Sequence, residues 1–476
     1  MKLFVIWMTL LLTALATSTV QAQIYSNLYS FTPYAGDPFT NNDGAIPYCG
    51  LVLSSNALYG TTYAGGTNGE GVVFKVNTDS TGFNKVHTFG ALSDGFYGAN
   101  NDGGQLYSTL VLSTNVLYGT ATLGGTSGYG VVFRVNTDGS DFTNLHNFSD
   151  GAGGPRAGLI LSSNVLYGTT TSGGAGYGSV FRINTDGLAF TNLHSFTALT
   201  NDAFAVYGGV VLSGSTLYGT AGGGGKFGGG VVFTLSTSGK GYTNLFNFQP
   251  VGGESQSSTN TTGGTPYSSL LLLGNRLYGT TPHGGTNGNG VVFAVSTNGG
   301  SFTNLHTFSA MLNGTNSDGY DPQAPLLLIS NRLYGVAGSG GIGGYGTIFS
   351  LNTNGAGFTT VYNFVDIPNP TNYLDMGGAG PAGGLLLSGN ILYGTTTLGG
   401  GYDGNVYAIN LTTPTLPVPL GAQITSGKLI FTWTNPAFSL QSTPSLEIAF
   451  SNVLNTTSPY TNTATAAQQF FRLKAN

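Results

Sequence analysis

Charged side chains make up only 7% of this 476-residue chain, against roughly a quarter in ordinary domains. Its 13 basic residues are spread thinly, which leaves no basic stripe to follow a phosphate backbone and argues against nucleic acid as a partner. A single cysteine, Cys49, excludes an intrachain disulfide, so packing and strand pairing must hold the fold together. Cys49 itself reads as a small buried hydrophobe. After residue 22 no segment approaches the roughly 18 apolar residues of a membrane span, so none is expected in the mature chain. Helical periodicity never persists for three turns. Gly-x-Ser-x-Gly, His-Glu-x-x-His and phosphate-loop motifs are missing, and the glycine run Gly222 to Gly225 leads to no helix. No cofactor is expected. The scarcity of charge is not a disorder signature, because hydrophobic residues reach 40% and aromatics 12%.

The first 22 residues have the layout of a secretory signal. Lys2 provides the positive start, Leu3 to Ala16 the apolar stretch, and Val20-Gln21-Ala22 a small-residue cleavage site. The mature protein is therefore expected outside the cytoplasm, secreted or at the cell surface, with the periplasm as the other compartment.

A variant of Leu-Tyr-Gly then recurs seven times, with its tyrosine at Tyr59, Tyr118, Tyr167, Tyr218, Tyr278, Tyr334 and Tyr393. Such a period marks a repeat architecture. Within one unit, Leu110–Ser113, Val116–Thr122, Gly130–Asn136 and Phe142–Phe148 have strand length and composition, and the breaks between them carry Gly, Asn or Asp. Four antiparallel strands per repeat predict an all-β fold of propeller blades. The last repeat lacks a fourth strand after Asn405–Asn410, while Tyr25–Phe31 near the N-terminus matches the fourth-strand pattern. The reading is a seven-bladed β-propeller over residues 23–411, closed by its N-terminal strand, which removes open sheet edges. A Pro-rich linker follows at 412–419. Residues 420–476 read as a small β-sandwich-like accessory domain. A monomer is expected.

The repeat unit Leu-Tyr-Gly-Thr-Thr, Gly-Gly, Gly-Val-Val-Phe, Asn-Thr-Asp-Gly and Phe-Thr-Asn-Leu-His resembles the GloVer tandem-repeat family of secreted bacterial proteins, over residues 24 to about 411. The resemblance implies no catalytic residues and no defined biochemical role. Members often carry a C-terminal sorting or anchoring segment. This sequence ends Gln469 to Asn476 without a hydrophobic tail or basic stop.

Histidine tempts first, since His87, His146, His194 and His306 share one place in the fourth strand. Other repeats put Tyr29, Phe246 and Tyr362 there, and a phenyl ring has no lone pair to replace a metal ligand or base. A flat aromatic in a packing slot is the expectation. Asp79, Asp138 and Asp186 read as turn residues, as do Asn298 and Asn354 in the corresponding positions. Asp43, Asp94, Asp102, Asp150, Asp202 and Asp318 instead follow the fourth strands, on the face where propellers bind ligands. A pair of them across the central opening would serve a glycoside hydrolase or polysaccharide lyase, the alternative reading. The alternating oxygens of Asn316 to Asp321 have a calcium-loop flavour without the spacing or the distal Glu of an EF-hand, and no metal is assigned. The loop before each third strand carries Tyr129, Tyr177 and Tyr345, alongside Glu70 and Asn289, with Phe227 and Tyr402 close by. Aromatics among Gly, Ser, Thr and Asn suit neutral saccharides or peptides. The candidate ligand-binding set is thus Tyr129, Tyr177, Phe227, Tyr345, Tyr402, Asp94, Asp102, Asp150 and Asp318. The function expected is a non-catalytic binding or structural scaffold for a saccharide or an extracellular protein.

Overall fold

A computed structural model describes residues 25–411 apart from 35, 37–38, 94–97, 150–152, 174, 198, 200, 252–258, 366–377 and 400–402, and beyond 411 the backbone of six strands. The chain divides into two units, Ile24–Asn410 and a second that contains Leu411–Asn476. The larger unit is a seven-bladed β-propeller. Blades one to six are antiparallel sheets of four strands in chain order. Blade two, for example, is Val111–Ser113, Val116–Ala121, Val131–Asn136 and Thr143–Asn147. Blade seven takes Leu386–Ser388, Ile391–Leu398 and Asn405–Asn410 from one end of the chain and Tyr25–Ser30 from the other.

The closing strand pairs antiparallel to Asn405–Asn410 with Asn27 opposite Tyr407, and its register shifts between Asn27 and Tyr29. The same bulge recurs between the third and fourth strands of blades one to six, as at Val132/Phe133 in blade two. The N-terminal strand therefore repeats the pairing of an ordinary blade.

Each residue of the Leu-Tyr-Gly-Thr element has its own task. The leucines Leu58, Leu117, Leu166, Leu217, Leu277, Leu333 and Leu392 are fully buried. The glycine makes room for an aromatic ring on the third strand: a Cβ at Gly119 would lie 2.5 Å from Cζ of Phe133, and one at Gly60 would lie 2.6 Å from Cζ of Phe74. A neighbouring backbone, the usual reason for glycine in a strand, is not what approaches there. The threonine staples blade to blade. Thr120 Oγ1 donates to the Ala157 carbonyl at 3.2 Å, Thr220 Oγ1 to that of Ser268 at 2.8 Å, and Thr395 Oγ1 to that of Cys49 at 2.7 Å. The last of these joins blade seven to blade one. Blade six has Val336 at this place and forgoes the staple.

The fourth-strand aromatics add a second belt. His87 stacks on Phe142 with ring centroids 3.8 Å apart, His146 on Phe190 at 3.7 Å, His306 on Phe358 at 3.6 Å and Phe246 on Phe302 at 4.0 Å. Each pair joins one blade to the next, and such pairs contribute about 0.5–1.5 kcal/mol beyond area burial. Tyr25 enters the same slot against Tyr362 of blade six, at 5.3 Å. The packing slot inferred from the exchange of His for Phe is thus visible in the ring contacts.

After residue 411 two three-stranded antiparallel sheets make a small β domain. One joins Gly421–Thr425, Lys428–Thr432 and Tyr460–Thr463; the other joins Ser451–Asn452, Phe438–Thr443 and Phe470–Ala475. The strand expected at Glu447–Phe450 lies outside the described residues.

Candidate functional site

The loop after each fourth strand meets the loop between strands two and three on one face of the propeller. In blade two, Leu123 donates its N–H to the Gly104 carbonyl and Gly104 donates back, at 3.2 and 3.0 Å. Just before each inner strand, one residue adopts a left-handed backbone: Ile46, Gln105, Gly154, Ala205, Thr265, Asp321 and Gly380, with φ between 53 and 68°. For β-branched Ile46 and Thr265 this conformation is a true outlier. Strain of this kind persists only where the surroundings impose it, and it concentrates at functional sites.

The imposing contact comes from the preceding blade. The N–H of Gln105 bonds the carbonyl of Glu70 at 2.9 Å, that of Gly154 the carbonyl of Tyr129 at 2.9 Å, and that of Gly380 the carbonyl of Tyr345 at 3.0 Å. Residues before the third strand, read from sequence as a ligand platform, hold the neighbouring blade's turn through their main chain.

Two residues after each left-handed turn stand Tyr48, Tyr107, Arg156, Tyr207, Tyr267, Gln323 and Ala382. All seven line one cavity of about 1090 Å³ at the mouth of the central channel. The next residue in every blade is small: Cys49, Ser108, Ala157, Gly208, Ser268, Ala324 and Gly383. Tyr48 and Tyr107 lie 5.2 Å apart by ring centroid, Tyr63 leans on Tyr107 at 4.9 Å, and Tyr207 meets Tyr267 edge-on at 4.8 Å. Between these aromatic groups sits Arg156, whose guanidinium lies 4.4 Å from the Tyr107 ring centroid and 5.5 Å from that of Tyr207. Its Nη2 also donates to Tyr107 Oη at 3.3 Å. Burial pushes the Tyr107 phenol up to about 12 despite the opposing pull of Arg156. Burial, helped by Tyr107, also raises Tyr48. These hydroxyls are therefore neutral donors near pH 7. On blade six, Gln323 Nε2 donates to both carboxylate oxygens of Asp321, at 2.7 and 2.8 Å. Burial raises that carboxyl, against the opposing effects of Gln323 and His283.

Of the candidates named from sequence, Tyr345 lines this cavity. Tyr129, Tyr177 and Phe227 are exposed on three successive blades beyond it, where Tyr177 touches Phe204 edge-on at 6.3 Å. Tyr402, Asp94 and Asp150 lie outside the described residues. Asp102 and Asp318 face their own blades. Asp102 pairs with His87 Nε2 at 2.9 Å and accepts the Gly90 N–H; Asp318 pairs with His306 Nε2 at 2.9 Å and accepts the Ser309 N–H and hydroxyl. Asp43 does the same for Tyr29 Oη at 2.6 Å and the Thr32 N–H. Asp202 takes the Thr197 N–H at 2.8 Å, with His194 Nε2 further off at 3.5 Å. Nor do the oxygens of Asn316 to Asp321 converge: Asn316 Oδ1 accepts the Gly319 and Gly341 N–H groups, Asp318 turns to His306, and Asp321 to Gln323.

The mouth residues escaped the sequence reading. Their signal is a position where residue type varies between Tyr, Arg, Gln and Ala while the residue before it is mostly proline and the one after it stays small.

The model of the Gloeobacter/Verrucomicrobia repeat family matches residues 96–261 and again 254–420, well over half of the sequence. The chain belongs to this family. No curated protein sequence matches it. Among solved structures, an oligogalacturonate lyase from Vibrio parahaemolyticus is similar at 8% identity, covering 81% of this chain and 93% of its own, with a TM-score of 0.48. TolB from Acinetobacter baumannii is similar at 10% identity, with coverages of 60% and 58% and a TM-score of 0.35. A nidogen/laminin complex gives 12% identity, 60% and 86% coverage, and 0.35. At identities of 8–12%, none of these likenesses selects a function.

Proposed function

We propose that this family member is an extracytoplasmic, non-enzymatic binding propeller that takes a saccharide at the mouth of its central channel. The carrying observation is the ring of seven equivalent positions, which the turns aim into one cavity and which hold four tyrosines, an arginine, a glutamine and an alanine. Phenol faces lie against the C–H faces of sugars, while hydroxyls and amides meet their rims. The cavity of about 1090 Å³ lies just above the roughly 300–1,000 Å³ usual for small ligands, so it has room for more than one sugar unit. A hydrolase built on the acids after the fourth strands fits less well, because Asp102, Asp202 and Asp318 are occupied with histidines and main-chain N–H groups.

A glycan array supplies the test. Binding should be lost in Tyr107→Ala/Tyr267→Ala and kept in Tyr129→Ala/Tyr177→Ala. The opposite pattern would move the site to the outer loops.

A further inference from the structure

Among the described residues lining the cavity, Arg156 is the one cation. It stands where Tyr48, Tyr107, Tyr207 and Tyr267 stand in other blades, so the repeat does not require a charge there. Among the described residues its guanidinium is in no ion pair; the pairs present join His87, His194 and His306 to aspartates. Its described partners are the Tyr107 hydroxyl and the faces of Tyr107 and Tyr207. Contacts of this kind hold the planar fork in place at the cavity wall, and such a fork favours bidentate capture of a carboxylate. Among the described residues, the one carboxylate of the cavity lining is that of Asp321 on blade six, three blades away in a ring of seven, and both its oxygens accept from Gln323. Of the charged groups that line the cavity among the described residues, only Arg156 is left to meet a charged ligand.

Building on the saccharide reading above, we infer that the ligand is an acidic saccharide, a uronate-type oligomer whose carboxylate docks on Arg156 while a neighbouring ring lies on Tyr107 or Tyr207. The phenols supply neutral hydroxyl partners for the sugar rim. The Asp321–Gln323 pair meets a sugar hydroxyl on the opposite wall. An acidic peptide would satisfy Arg156 but would meet the flat aromatic faces around it only through whatever apolar side chains it carried, whereas every sugar ring offers a C–H face.

Calorimetric titration of the intact protein tests this with three ligands: a uronate oligomer, the same oligomer after carboxyl reduction, and an acidic peptide of equal charge. The uronate should bind, weaken as salt is raised from low to physiological strength, and lose about 10- to 100-fold in affinity on carboxyl reduction, the scale of a charge-assisted hydrogen bond. Arg156→Gln should lower uronate affinity by the same factor and leave the reduced oligomer unchanged, with Arg156→Lys between them. Comparing ligands on the unaltered protein keeps the test valid if Arg156→Gln folds poorly. Equal binding of native and reduced oligomers, abolished in Tyr107→Ala, would overturn the acidic preference and leave the channel-mouth site standing. Binding of the peptide in preference to both oligomers would overturn the saccharide reading itself.

Discussion

Blade four offers a natural experiment on the Asp–His clamps. Where blade one has His87 and Asp102, it has Phe246 and Thr262. Thr262 Oγ1 accepts the Gln249 N–H at 3.1 Å, as Asp102 accepts that of Gly90 at 3.0 Å. The cap on that N–H therefore needs an oxygen and no charge; the charge is needed only when the strand carries a ring N–H or O–H. Asp102→Thr should keep the cap and strand the His87 N–H, and His87→Phe should leave a carboxylate without its partner. Each is expected to cost about 1–3 kcal/mol. The lower half of that range applies, because the side chains retain 19% and 16% exposure and water can reach them. His87→Phe/Asp102→Thr reproduces blade four and should return to within about 0.5 kcal/mol of the parent, giving a coupling of about 2–4 kcal/mol in magnitude, the sum of the two single losses. Chemical denaturation followed by circular dichroism gives the energies, and hydrogen exchange over 84–106 shows whether the loss is local. Neutral single variants, or a double variant that costs the sum of the two, would refute the reasoning.

Two further predictions concern packing and pH. Gly119→Ala puts a methyl 2.5 Å from Phe133 Cζ and 2.8 Å from Leu110 Cδ2, so it should cost about 1–3 kcal/mol in overpacking; thermal unfolding should show the loss, and Gly119→Ala/Phe133→Leu should recover part of it. Burial pushes Glu70 up to about 7, so between roughly pH 4.3, its unfolded value, and 7 the folded state binds the extra proton and stability falls as pH rises. Glu70→Gln removes that slope, so its melting temperature relative to the parent should climb across this window and level off above it; a difference independent of pH would show that Glu70 is not held this way.

The fold was legible because its determinants repeat. Leu-Tyr-Gly-Thr recurs with the period of the blade, and the displaced strand Tyr25–Phe31 matched the gap after Asn410 because it carries the same aromatic spacing, which the structure uses for the stack of Tyr25 on Tyr362. The exchange of His for Phe at one position revealed a packing slot for the same reason. The partner of each histidine stayed hidden, since the loops differ in length: Asp102 is 15 residues from His87 and Asp318 is 12 from His306. The channel mouth was missed for the converse reason. Attention to residues shared by all repeats passes over the place where they differ, and nothing local in Tyr107 or Arg156 announces that a left-handed turn two residues earlier aims both into one cavity.

A crystal structure with a bound uronate oligomer addresses the central claim most directly. The account predicts sugar rings against Tyr107 and Tyr207, with a carboxylate on the Arg156 guanidinium. Ligand seated over Tyr129, Tyr177 and Phe227, or on the opposite face of the propeller with the channel mouth empty, would contradict it.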